Sequence, residues 1–226
     1  SSTSLLISAE GVTTVTFHAR DNAGNVEGNH TVVIRLDKTA PTITGSATPA
    51  PNANGWNNTD VTVTFACSDG LSGVDTCGPT PQVVTTEGAG QSRTATVTDK
   101  AGNSASATVG GINIDKTPPT LTFGATTPAP NGAGWNNTVP VTIAFTPADN
   151  LSGVATTSTA SPLSFASETG GATQSVTVTD AAGNSATFTS QTVKIDTTPP
   201  VISGMPVAGC TLWPPNHKLV NVATVT

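Results

Sequence analysis

Charged residues are scarce in this chain of 226 residues. Only 10% of the residues are charged, and eight lysines and arginines against fourteen acidic residues leave a formal net charge of −6. A nucleic acid or an anionic membrane requires a basic surface to neutralise its phosphates, so the composition argues against both partners. No run approaches the roughly 18 consecutive apolar residues that indicate a membrane-spanning helix. The sequence therefore predicts neither a nucleic-acid partner nor a membrane span.

Residues that usually carry catalysis are also few. The three histidines, His18, His30 and His217, occupy unrelated positions and lack the spacing of metal ligands. No phosphate-binding loop, Cys-x-x-Cys pair or cofactor motif occurs. Serine is abundant, but a serine with an unrelated histidine and aspartate defines no catalytic triad without geometry. The sequence predicts a protein that is not an enzyme.

What the chain has instead is a repeat. The motif Asp-x-Ala-Gly-Asn begins at three aspartates, Asp21, Asp99 and Asp180. The motif Asp-[Lys/Thr]-Thr-x-Pro begins 16 residues after each of them, at Asp37, Asp115 and Asp196. The offsets between copies are 99 − 21 = 78 and 180 − 99 = 81. Such a fixed period indicates one folding unit of about 80 residues.

Each unit has the pattern of short β-strands. Val61-Thr-Val-Thr-Phe65 alternates apolar with polar residues, as a half-buried strand does, and Val141 to Phe145 repeats the pattern. About seven such strands per unit, separated by Gly, Pro and Asn, predict an all-β protein of antiparallel sandwiches. The predicted domains are 1–38, the closing half of a repeat; 39–117 and 118–198, two complete repeats; and 199–226, the opening portion of a following module.

These motifs carry a family resemblance. Gly55-Trp-Asn-Asn, Leu71-Ser-Gly-Val, the Asp-x-Ala-Gly-Asn turns and Asp115-Lys-Thr-Pro-Pro resemble the bacterial immunoglobulin-like tandem repeats of secreted and cell-surface proteins. The segment that starts at Cys210 resembles the opening of a related module. The resemblance implies tandem immunoglobulin-like sandwiches in a linear array. It also implies use as a stalk, a spacer or an adhesive arm, and sometimes as an accessory to a secreted hydrolase.

The cysteines bear on the compartment. Cys67 and Cys77 flank a short loop, and the next repeat replaces both of them together, by Pro147 and Thr157. Paired loss predicts that the two form a disulfide, which persists in an oxidising environment, so we expect an extracellular or cell-surface location. Cys210 has no such counterpart; a partner outside this chain and a buried free thiol both remain open.

Proline-rich segments lie where one unit must pass into the next. Consecutive prolines hold an extended, semi-rigid path, so these segments are predicted interdomain joints. Their residues are Asp37, Pro41, Asp115, Pro118, Pro119, Asp196, Pro199 and Pro200.

Acidic residues that recur between units suggest calcium. Calcium takes six to eight oxygen ligands, which loops at one end of a sandwich can provide. The candidate ligands are Asp69, Glu87 and Asp99 in one unit and Asp149, Glu168 and Asp180 in the next. The competing interpretation is that these residues cap turns and solvate the ends of strands. No cofactor is certain from the sequence, and calcium is the candidate.

The tryptophans and the sequons leave further alternatives. Trp56 and Trp135 recur within a scaffold motif, which favours packing in a core or joint over stacking on a sugar. Sequons at Asn29, Asn57 and Asn136 are relevant only in a cell that glycosylates.

The ends suggest an assembly. The chain begins with Ser1 and not with methionine, so we expect an excised or mature piece of a longer protein. Residues 1–38 and 199–226 read as complementary halves, and strand addition between copies would build a fibre. The sequence thus predicts a non-catalytic extracellular stalk or fibre whose partners are neighbouring repeats or copies of itself. The alternative is a module that binds surface glycans or proteins for a secreted enzyme.

Overall fold

The computed structural model describes residues 4–201, and this part of the chain is all-β. Its strands are β1 (Gly11–Phe17), β2 (His30–Leu36), β3 (Thr42–Thr48), β4 (Val61–Ser68), β5 (Val74–Gly78), β6 (Gln82–Val84), β7 (Gly88–Asp99), β8 (Ser104–Ile114), β9 (Thr120–Thr127), β10 (Val141–Ala148), β11 (Val154–Thr157), β12 (Leu163–Phe165), β13 (Thr169–Ala172), β14 (Ser175–Asp180), β15 (Ser185–Thr189) and β16 (Val193–Ile195). No helix that could cross a membrane occurs among these residues. Cys210, His217 and the predicted module at 199–226, apart from its first three residues, lie outside them.

Two compact units account for the described residues. One comprises 4–121, 147–158 and 177–187, and the other comprises 122–146, 159–176 and 188–201. The domain boundaries at 38, 117 and 198 stay sequence predictions.

The first unit contains the β1–β2 hairpin and two three-stranded sheets, ordered β3-β4-β6 and β5-β7-β8. The hairpin is antiparallel and in register from the pair Gly11 and Leu36 to the pair Phe17 and His30. The core between the sheets is formed by Val61, Val63, Phe65, Val84, Ala95, Ile112 and Ile114. Every second residue of β4 from Val61 to Phe65 belongs to it, as the sequence alternation predicts, and burying each Val, Ile or Phe stabilises the fold by about 1.5–3 kcal/mol.

Gly45 shows how closely the two sheets of this unit approach. A Cβ atom at Gly45 would collide with side-chain carbons of Val109 on β8 and Phe65 on β4. Only glycine therefore fits at this point of β3 without a shift of its neighbours.

Residues 120–195 repeat this order of strands. The sheets are β12-β10-β9, β11-β14-β15 and β13-β16, and the neighbouring strands β10 and β12, β11 and β14, and β13 and β16 are antiparallel. The burial pattern of β10 is identical to that of β4. Buried apolar residues here are Val141, Ile143, Phe145, Leu163, Phe165, Val176, Val178, Ala182, Val193 and Ile195. An equivalent backbone bridge closes each copy, between Asn57 and Ile114 and between Asn136 and Ile195.

Candidate functional site: two aspartate joints

Each Asp-x-Ala-Gly-Asn motif forms a hairpin turn that is organised by its first aspartate. Asp99 Oδ1 accepts hydrogen bonds from the backbone N–H groups of Ala101 (2.9 Å) and Asn103 (2.8 Å), and Oδ2 accepts one from Asn103 Nδ2 (2.8 Å). Gly102 adopts a φ of 94°, which favours glycine. Asp180 and Asp21 make the same bonds to the asparagine four residues later. At Asp21, the hydrogen bonds from the side chain and the backbone of that asparagine, Asn25, lower the pKa of the carboxyl.

A second loop, Asp-x-Leu-Ser-Gly, is closed in the same manner. Asp69 Oδ2 accepts from the N–H groups of Leu71 (3.1 Å) and Gly73 (2.7 Å). The corresponding bonds to Asp149 Oδ2 come from Leu151 (3.1 Å) and Gly153 (2.6 Å). In this way the loop fixes the carboxylate and leaves the N–H of its serine free to bond elsewhere.

The serine N–H bonds to the aspartate that begins the Asp-[Lys/Thr]-Thr-x-Pro motif of the preceding repeat. Asp37 Oδ2 accepts from Ser72 N (2.9 Å), and its backbone carbonyl accepts from Asn103 Nδ2 (3.3 Å). Asp115 repeats both bonds, with Ser152 N (3.0 Å) and Asn184 Nδ2 (2.8 Å). We call Asp37, Asp69 and Asp99 the first joint and Asp115, Asp149 and Asp180 the second joint.

Carboxylate oxygens concentrate at each joint. One oxygen from each of the three aspartates lies within 4.8 Å of the other two. Asp99, Asp115 and Asp180 are at most 2% exposed, so water screens them poorly. At the second joint, for a separation of 4.8 Å and an effective dielectric constant of about 20, each pair of charges repels by about 3.5 kcal/mol. The N–H donors offset part of this repulsion. At Asp37, hydrogen bonds from Ser72 and from the backbone N–H of Thr39 lower the pKa of the carboxyl.

A cation beside the first joint is replaced by a neutral residue at the second. The Lys100 ammonium lies beside Gly73 in the loop of the first joint, because a Cβ built on that glycine would be 3.6 Å from Nζ. The residue at the same place in the second copy is Ala181. The second joint therefore retains more of its negative charge.

The structure brings together four of the six predicted calcium ligands and separates two. Asp69 and Asp99 meet at the first joint, and Asp149 and Asp180 meet at the second. Glu87 lines the same groove as Asp115 and Asp149, but its carboxylate is not one of the clustered oxygens. Glu168 likewise lies outside the clusters. Carboxylates are suitable donors for a hard cation such as calcium. Binding of calcium at the joints stays a prediction.

The glutamates bind the start of the proline-rich segment instead. Glu87 accepts from Lys116 N (2.6 Å) and Thr117 Oγ1 (3.0 Å), and Glu10 accepts from Lys38 N (2.5 Å) in the first copy. Glu168 accepts from the hydroxyls of Thr197 and Thr198 and from Thr197 N, and these bonds lower the pKa of its carboxyl. We call this contact the glutamate latch; it recurs in all three copies.

Asp37 and Asp115 were predicted as joint residues and belong to the recurring acidic set, but they were not among the six candidate calcium ligands. Their fixed distance of 16 residues links each of them to the turn aspartate of its own repeat, whereas each cluster contains the turn aspartate of the next repeat. Among the predicted joint prolines, Pro41 and Pro119 are buried immediately before β3 and β9. Pro118, Pro199 and Pro200 are exposed, as is Asp196.

The remaining predicted residues have these positions. Cys67 and Cys77 form the predicted disulfide, with a Cα–Cα distance of 6.0 Å, and so enclose the loop of the first joint. Trp56 and Trp135 are half-buried, and Lys194 Nζ lies 5.7 Å from the centroid of the Trp135 ring. His18 is exposed, and His30 pairs with Glu27 at 2.5 Å. Asn29 is exposed, whereas Asn57 and Asn136 are 7% and 5% exposed.

Comparison with known proteins adds no relative. No model of a known protein family matches the chain, and no curated protein matches it.

Proposed function

We propose that this chain is a non-catalytic structural segment of an extracellular or cell-surface protein, of the bacterial immunoglobulin-like repeat type. Its work is to hold successive β units in a fixed relation, as a stalk or an adhesive arm does. The observation that carries the proposal is the recurrence of the joint: the same three aspartates and the same bonds from serine and asparagine occur twice.

The chemistry of the joints supports a mechanical role. A flexible linker needs no hydrogen bonds across it, whereas each joint fixes one aspartate through its carboxylate, its carbonyl and the glutamate latch of its own repeat. Prolines that follow the aspartate restrict the backbone further. Together these features keep the segment from acting as a free hinge.

The disulfide supports the location. Cys67 and Cys77 close a loop that contributes Asp69 and Ser72 to the first joint. Disulfides of this kind persist outside the cell and are reduced in most cytosols. Assembly of copies into a fibre through complementary ends stays a prediction, because residues 202–226 lie outside the described part of the chain.

Within residues 4–201, no specific contact favours the glycan-binding alternative. A sugar-stacking platform needs an open aromatic face, and Trp56 and Trp135 are half-buried. The Lys194 ammonium also lies over the Trp135 ring.

Electron-spin distance measurement tests the proposal. Nitroxide labels would be placed at the exposed positions Thr14 and Thr44, on either side of the first joint, in a full-length chain with Cys210 replaced by serine. We expect a narrow distance distribution that broadens in Asp37→Ala and is unchanged in the control Asp75→Ala, since Asp75 is exposed and outside both joints. A broad distribution in the parent, or no effect of Asp37→Ala, would contradict a fixed joint.

A further inference from the structure

The segment around Asp196 has the local geometry of a joint aspartate. Asp196 N donates to the carbonyl of Asn136 at 2.9 Å, as Asp115 N donates to that of Asn57 at 2.9 Å. Asp196 Oδ1 accepts from Thr198 N at 3.0 Å, and Asp115 Oδ1 accepts from Thr117 N at 3.1 Å. Glu168 provides the glutamate latch. The backbone and the carboxylate of Asp196 are therefore held in position before any contact with a further unit.

Three groups that bond across the second joint have counterparts at Asp196 and Asn131 that lack a partner within residues 4–201. A fourth, Asn54 Nδ2, donates to the Ala181 carbonyl at 3.0 Å, and its counterpart is Ala133. At the second joint, Asp115 Oδ2 accepts from Ser152 N and the Asp115 carbonyl accepts from Asn184 Nδ2. Neither the Oδ2 nor the carbonyl of Asp196 accepts a comparable bond from any described residue. Asp115 is fully buried, whereas Asp196 is exposed.

The third group is an asparagine amide. Asn52 Nδ2 donates to the carbonyl of Ala181 at 2.8 Å, while Asn52 Oδ1 is held by the N–H of Trp56 at 3.1 Å. Asn131 has the same internal arrangement, because its Oδ1 accepts from Trp135 N at 3.0 Å. Its Nδ2 has no acceptor among the described residues, although its orientation is fixed in the same manner.

We infer that Asp196 and Asn131 form the preorganised half of a third joint. The partner that fits is a folded β unit with an Asp-x-Leu-Ser-Gly loop and an Asp-x-Ala-Gly-Asn turn. The loop supplies a serine N–H to Asp196 Oδ2, and the turn supplies an asparagine amide to the Asp196 carbonyl and a backbone carbonyl to Asn131 Nδ2. Preorganisation lowers the entropy cost of docking, since the acceptors need not be ordered on binding. The inference deepens the proposed function by naming the chemistry of the partner.

An extended chain tests the inference. A copy of residues 118–198 would be inserted after Thr198, which preserves the Asp-Thr-Thr-Pro-Pro sequence and supplies both motifs. Nitroxide labels at Thr173 and at the inserted counterpart of Thr122, both exposed positions, report across the new joint, again with Cys210 replaced by serine. We expect one narrow distance distribution, whose width at least doubles when Asp196→Ala and Asn131→Ala are combined.

Control measurements separate this inference from the proposed function. Asp75→Ala in the extended chain should leave the distribution unchanged. A wide distribution in the extended parent, or a narrow one that the double substitution does not affect, would overturn the third joint. The Thr14 and Thr44 pair, read in the same extended chain, reports the first joint independently, so a failure confined to the new joint leaves the proposed function standing.

Discussion

Replacing Asp115 by asparagine removes one charge from the second joint and keeps one oxygen acceptor. The charge of Asp115 faces those of Asp149 and Asp180 across at most 4.8 Å, so two repulsions of about 3.5 kcal/mol each disappear when no cation is bound. Asp115 accepts one hydrogen bond on each carboxylate oxygen, from Thr117 N and from Ser152 N. The NH₂ group of asparagine replaces one of these oxygens and cannot accept, so one of the two bonds is lost, at a cost of about 1–3 kcal/mol. Even if solvent screens half of the repulsion, its relief equals or exceeds the loss.

The sign of the effect should therefore depend on calcium. In a chelator, we expect Asp115→Asn to raise the melting temperature of the full chain. In millimolar calcium, we expect the same substitution to lower it, because a cation that neutralises the joint loses a charged ligand. Calorimetry of the variant, the parent and the control Asp75→Asn in both media measures this. A shift of the same sign in both media would refute the reasoning. The second joint is the better one for this measurement, because Ala181 there replaces Lys100 and no lysine at this position offsets the charge of the aspartates.

Four other predictions follow from the contacts. Calcium at 100 times its dissociation constant should stabilise the chain by about 2.7 kcal/mol, and chelation should remove the gain; an unchanged melting temperature would contradict a calcium site. Replacing both Cys67 and Cys77 by alanine should cost about 3 kcal/mol in denaturant unfolding, since a loop with a sequence separation of 10 loses its closure constraint; a loss below about 0.5 kcal/mol would contradict this. Gly45→Ala should destabilise by about 1–3 kcal/mol, whereas Gly124→Ala should cost less, because its nearest contact, the Ala144 carbonyl, would be 3.3 Å from the new Cβ. Because hydrogen bonds lower the pKa of Glu168, its contribution to stability is present above the ordinary glutamate pKa and is lost as the pH falls through the lowered value; Glu168→Gln should flatten the acid limb of a melting-temperature profile, and an unaltered limb would count against the latch.

Much of the fold could be predicted from local patterns. Alternation in Val61 to Phe65 gave the buried face of β4, and paired loss of Cys67 and Cys77 gave the disulfide. Both signals are local because a strand has a period of two residues and a short loop brings its own ends together.

The composition of the joints was only partly predictable. Asp69 and Asp149 were grouped with Glu87 and Glu168 because all four recur, but recurrence does not show which acidic residues share a space. Asp37 belongs with Asp99 through a contact over 62 residues of sequence, which no local pattern reports. Only the three-dimensional structure shows which acidic residues form each joint.

The buried asparagines have a consequence for production of the protein. Asn57 and Asn136 are acceptors of sequons, yet each is buried and forms part of the backbone bridge that closes its repeat. A eukaryotic secretory pathway would attach sugars to these amides before folding, and a bulky glycan at a position only 5–7% exposed cannot be accommodated in the native state. Expression in a yeast or mammalian host should consequently yield misfolded material that Thr59→Ala and Thr138→Ala together rescue, while a bacterial host needs no such change.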